Sequence, residues 1–82
     1  ALDQRGLVPA LERLVERFRQ ETGIPAFFQS DCRKTNLDSK REMQALRIVQ
    51  ESLANIRKHA QAHTVRVLLR TRGEGAYRLL VE

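Results

Sequence analysis

The chain has no tryptophan, one cysteine and two prolines, and aromatic residues make up only 5% of it. Each shortage closes an option. A single Cys32 cannot form an internal disulfide, and with no CxxC motif it reads as a free thiol suited to a reducing compartment. Four glycines, none in a phosphate-loop pattern, leave no glycine-rich cradle for an anion. No apolar run approaches the roughly 20 residues of a membrane span, and no signal peptide opens the sequence. The soluble part of a membrane-anchored protein remains compatible with that pattern. Repeats and low-complexity tracts are also missing. No serine or cysteine nucleophile is spaced with a base.

What is present is enough for one small domain. Eighty-two residues, 41% of them hydrophobic and 30% charged, suit a soluble globular fold, although a chain this short buries only about 60% of its unfolded surface. The formal net charge is +5, which favours anionic partners such as a nucleotide, a nucleic acid or an anionic membrane surface. The basic residues are scattered, however. Only Arg33-Lys34, Lys40-Arg41 and Arg57-Lys58-His59 cluster, and solvated surface accounts for most of the rest.

The hydrophobic pattern predicts five elements. Leu7, Leu11, Leu14, Val15 and Phe18 mark one stripe of a helix over residues 7–22, with Pro9 in a first turn that needs no N–H and Gly23 as its cap. Residues 25–31 read as a short strand in which Phe27 and Phe28 face opposite ways, so that either both faces are covered or one phenylalanine meets a partner. A polar loop over residues 32–38 follows. A long helix over residues 39–62 comes next, capped by Asp38 or Ser39, with Ser39 and Glu42 at capping-box spacing. Residues 64–70 and 76–81 alternate as strands around a tight turn at residues 72–75. The order helix-strand-helix-strand-strand is a two-layer α+β arrangement with an antiparallel hairpin.

The long helix carries the most information. Leu46, Val49, Leu53, Ile56 and Ala60 form an apolar stripe, while Glu51, Asn55 and His59 recur every fourth residue on another face with Lys58 beside them. An asparagine oxygen is a good neutral ligand for a hard cation such as Mg²⁺ that also holds phosphates. A carboxylate one turn before it can take a hydrogen bond from a metal-bound water or act as a base. Cations one turn after it can meet phosphate oxygens. The same residue types also make an ordinary solvent-facing stripe. His59 and His63 are four apart, but no third ligand of compatible spacing joins them, so zinc is not expected.

The string LRIVQESLANIRKHAQA, followed by TVRVLLR, resembles the N box of sensor histidine kinases of two-component systems, in particular the nitrate/nitrite-sensor class. The preceding LDQRGLVPALERLVERFRQETGIPAFF resembles the stretch between the phosphoacceptor helices and the N box in that class, so the likeness covers nearly the whole chain. It implies a partial catalytic domain, residues 1–82, of the ATPase fold shared with gyrase and the heat-shock chaperones. By position, Asn55 would coordinate the Mg²⁺ that bridges ATP phosphates. Glu51 would position a water or act as catalytic base. Lys58 and His59 would bind the nucleotide, and Arg47 is a weaker candidate on the same side. The cofactors implied are ATP and Mg²⁺. The partners implied are the phosphoacceptor histidine domain of the same or a partner chain, and a response regulator. The chain would be the cytoplasmic portion of a parent anchored in the bacterial inner membrane.

The sequence departs from the family pattern at both ends. It stops at LLVE, just before the Asp-x-Gly motif that recognises adenine, and it holds neither the glycine-rich ATP lid nor the upstream phosphoacceptor histidine. Neither His59 nor His63 fits that histidine's role. The expectation is therefore a fragment with half of an ATP site, inactive alone, whose uncovered strand edges favour a homodimer or larger self-association. No specific nucleic acid is expected. The alternative is a small basic module that binds nucleic acid or protein without catalysis.

Overall fold

A computed structural model of the chain describes residues 6–59, 63–73 and 76–82, without the side chain of His59. The elements are α1 (Leu7–Thr22), β1 (Ala26–Ser30), α2 (Ser39–His59), β2 (Val65–Thr71) and β3 (Tyr77–Val81). All five expected elements are present in the expected order. Ala60 and the expected last residues of the long helix, together with Glu74 and Gly75 of the expected turn, lie outside the described residues.

Helix α1 begins after Gly6 with Pro9 inside its first turn, and it ends at Gly23, whose φ of 74° is left-handed and whose N–H donates to the Arg19 carbonyl at 2.9 Å. A residue with a Cβ is strained in that conformation, which is why glycine terminates the helix there. The buried side is Leu7, Val8, Ala10, Leu11, Val15 and Phe18. Val8 and Ala10 extend the expected stripe across the first turn, whereas Leu14 is only half-buried.

The sheet has the order β1-β2-β3. Strands β2 and β3 form the expected antiparallel hairpin, with Leu68 opposite Leu80 and Arg70 opposite Arg78. Strand β1 runs parallel to β2, with Ala26 level with Val65 and Phe28 level with Val67. A parallel pair cannot be closed by a tight turn; here the crossover is α2 together with the loop before it. Two ties fix that loop. The Asp31 carboxylate accepts from the Thr71 N–H (3.0 and 3.1 Å) and from the Thr71 hydroxyl (3.0 Å), clamping the ends of β1 and β2. Farther along, the Asn36 N–H donates to the Tyr77 hydroxyl at 2.8 Å, drawing the loop across to β3.

Both helices lie on one side of the sheet, α1 against β1 and α2, with α2 reaching β3. The molecule measures 36 × 25 × 17 Å, and the shortest dimension is that of two layers. Leu7, Leu11, Val49, Val65, Val67 and Leu69 are the most completely enclosed side chains, each withdrawn from water at a gain of about 1.5–3 kcal/mol. No helix among the described residues is long and apolar enough to cross a membrane. The two phenylalanines of β1 divide as alternation requires. Phe28 turns inward against the core, and Phe27 remains 53% exposed on the bare side of the sheet.

Candidate functional site

The start of α2 is fixed by its cap. The Arg41 N–H donates to Asp38 Oδ1 at 2.8 Å, and the Glu42 N–H donates to the Asp38 carbonyl at 3.0 Å. Asp38 is therefore the cap, and the capping box suggested by Ser39 and Glu42 does not form. The Glu42 carboxylate instead accepts a hydrogen bond from the Thr35 hydroxyl, seven residues back in the loop. Glu42 thus ties the loop to the helix rather than closing the helix end on itself.

Val49 and Leu53 are the buried residues of α2, flanked by the half-buried Ala45, Leu46 and Ile56. At 3.6 residues per turn, Glu51 and Lys58 sit roughly 160–180° around the helix from Val49, pointing away from the core. Asn55 lies about 40° farther round than Glu51. Glu51, Asn55, Lys58 and Arg47 are all exposed. The structure therefore brings Glu51, Asn55 and Lys58 together on one accessible side of a helix whose opposite side is locked into the core. Successive members one turn apart are about 5–6 Å from one another at Cβ. His59 is the last described residue of the helix, and its side chain lies outside the described residues. Arg47 falls on the far side of Glu51 from Asn55, beside a shallow hollow of about 280 Å³ lined by Lys40, Met43 and Gln44, so it does not join the asparagine.

The flank of α2 that meets α1 is different. Gln50, Leu53, Ala54 and Arg57 line a groove of about 210 Å³ with Leu14, Arg17, Phe18 and Glu21 of α1. An Arg57–Glu21 contact of 3.6 Å bridges the two helices there. Asn55 is turned to the other flank, away from α1, so the interhelical groove and the polar face are separate features. Ile48 was not among the candidates, yet it is 56% exposed and lies two turns before Asn55 on the same side. An isoleucine out of phase with the stripe of Val49 and Leu53 is the signal that would have found it. It gives the polar face an apolar neighbour. No group of three metal-ligating side chains exists among the described residues.

Over 67 residues, 82% of its length, the chain is 40% identical to the signal transduction histidine-protein kinase/phosphatase DegS of Brevibacillus brevis. The chain is related to a segment of the sensor histidine kinases. Over 81 residues it is also 26% identical to the sensor protein NarQ homolog of Haemophilus influenzae. It spans only 17% and 14% of the lengths of these two proteins. No family model and no solved structure matches the chain significantly. The expected likeness to sensor histidine kinases is thus found in the relatives. The mixed α+β architecture of two helices and a three-stranded sheet is compatible with the expected fragment of an ATPase fold.

Proposed function

We propose that this segment is part of the ATP-binding catalytic domain of a sensor histidine kinase and that α2 is its N box. The observation that carries the reading is the division of α2. One side is fixed by Val49 and Leu53, while Glu51, Asn55 and Lys58 stand together, exposed, on the other. The donor set fits a hydrated Mg²⁺ with a nucleotide. It offers one neutral amide oxygen and one carboxylate, too few for an all-protein cage and suited to a metal that keeps water and phosphate ligands. Mg-ATP, when bound, supplies the phosphoryl group for transfer to a histidine, from which a response regulator would receive it.

In this reading Asn55 offers its side-chain oxygen to the metal. Glu51, one turn earlier, accepts a proton from the attacking histidine or orients a water. Lys58 and His59 meet phosphate oxygens with charge-assisted hydrogen bonds. Such sites act through positioning and electrostatics, with little covalent chemistry left to the protein. The 82-residue chain alone is expected to have no kinase activity, and the free edges of β1 and β3 support the expected self-association.

Calorimetry with Mg-ATP tests the proposal. The 82-residue chain should bind weakly or not at all. The same segment carried within a complete catalytic domain of about 100–150 residues should bind, and Asn55→Ala in that longer protein should abolish the heat signal. A longer protein that fails to bind, or an Asn55→Ala variant that binds as well as its parent, would sink the assignment.

A further inference from the structure

The bare face of the sheet is not an ordinary solvated surface. Along β2 it carries Arg66, Leu68 and Arg70; along β3, Arg78 and Leu80; along β1, Phe27 and Gln29. Phe27, Leu68 and Leu80 supply one apolar side chain per strand, whereas Tyr77, Leu79 and Val81 pack against the core on the other side. Leu68 and Leu80 are direct cross-strand partners, and Phe27 lies one diagonal step from Leu68. Each is thus about 5–8 Å from the next.

The charges beside this row are uneven. Arg66 is engaged by the Glu82 carboxylate at 3.0 Å. At the other end of the strands Arg70 and Arg78 stand directly opposite each other, and no carboxylate among the described residues pairs with either. Asp31, just past the end of the neighbouring strand, is committed to Thr71. Two like charges directly across an antiparallel ladder disfavour the pairing they sit on, and an anion placed between them removes that cost.

We propose that this face docks an acidic amphipathic helix of a partner protein. Lying across the three strands, such a helix would set apolar anchors at i, i+4 and i+7, about 5.4 Å apart per turn, onto Leu80, Leu68 and Phe27. Carboxylates along one flank would meet Arg70 and Arg78. A second copy of this chain fits less well: stacked in parallel, the face opposes Arg70 and Arg78 to themselves, and stacked head to tail it meets only Glu82, already engaged by Arg66. Single-stranded nucleic acid is less suited, since bases need aromatic platforms and two of the three apolar side chains are leucines. The inference concerns the side of the sheet away from α2 and does not depend on the nucleotide reading.

The test is a titration of the isotope-labelled 82-residue chain, followed by amide chemical shifts. The titrant is a synthetic helix-forming peptide about 15 residues long, with leucines at that spacing and glutamates on the flanks. Saturable shifts should centre on Phe27, Leu68, Arg70, Arg78 and Leu80. Affinity should drop about tenfold or more both for a peptide with glutamines in place of glutamates and for the Arg70→Glu/Arg78→Glu chain, whose folding is checked by circular dichroism. Equal affinity for the glutamine peptide, shifts confined to the groove between the helices, or no shifts at millimolar peptide would overturn the proposal. So would an oligothymidylate that moves these resonances when the acidic peptide does not.

Discussion

Helices α1 and α2 lie side by side on the same layer but treat their polar surfaces in opposite ways. On α1 most of the exposed charges satisfy one another. Arg19 forms a two-pronged pair with Glu16 (2.6 and 3.1 Å), Gln20 adds a bond to Glu16 (3.3 Å), and Arg17 reaches Glu21 at 3.4 Å. Six of its 16 residues are buried, so the helix is anchored on one side and closed on the other. On α2, whose described part is longer by five residues, the described buried residues are Val49 and Leu53. Its outward polar groups at 51, 55 and 58 find no such mates among the described residues. A helix that only covers a sheet can spend its surface on internal pairs. A helix that holds polar groups open, at accessible positions and on a fixed scaffold, is set up to meet something else.

The contrast can be broken first in the core. Leu11→Ala and Leu53→Ala should each destabilise the chain by about 2–5 kcal/mol, read from denaturant midpoints, because both side chains are enclosed. If Leu53→Ala cost much less than Leu11→Ala, α2 would be more loosely seated than α1, and its polar face less well positioned. Next in size is the cap of α2. Asp38→Ala should cost about 1 kcal/mol, while Ser39→Ala should cost almost nothing, since the hydrogen bond at the helix start comes from Asp38.

Smaller still are the changes on the open face. Glu51→Ala and Asn55→Ala should leave unfolding within about 0.5 kcal/mol of the parent, even though Asn55→Ala is expected to remove Mg-ATP binding from the longer protein. A large stability loss at either residue would recast the face as structural. The smallest effect belongs to α1. Its hydrogen bond from Arg19, followed by that residue's charge, holds the Glu16 carboxyl below the ordinary value of 4.5. Because the folded pKa lies below the unfolded one, the contribution is present above the unfolded value and is lost as pH falls through the folded one. The pair is fully exposed, so Arg19→Ala should raise the Glu16 titration midpoint, followed by NMR, with little change in the melting temperature.

The elements were legible in the sequence because each is specified locally. Pro9 and Gly23 bracket α1, the three- and four-residue steps of Val49, Leu53 and Ile56 define α2, and the alternation through Val65, Val67 and Leu69 defines β2. The cap was ambiguous for an equally local reason. Asp38 and Ser39 are both good caps, and only the competing bond from Thr35, which draws Glu42 away, resolves the choice. The candidate site was legible as a set of residues on one helix. Its setting was not, since periodicity alone does not tell which flank of α2 meets α1.

Sequence alone determined the kinds of element, their order, and the segregation of Glu51, Asn55 and Lys58 from the apolar stripe, because propensity, capping and periodicity act over a few residues. Tertiary structure decided the parallel pairing of β1 with β2 and the choice between Phe27 and Phe28 for the core. These depend on register between segments some 40 residues apart, such as Asp31 and Thr71. Contacts at that separation form only when the loop before α2 and the crossover helix bring the strands together, so no local pattern in the chain encodes them.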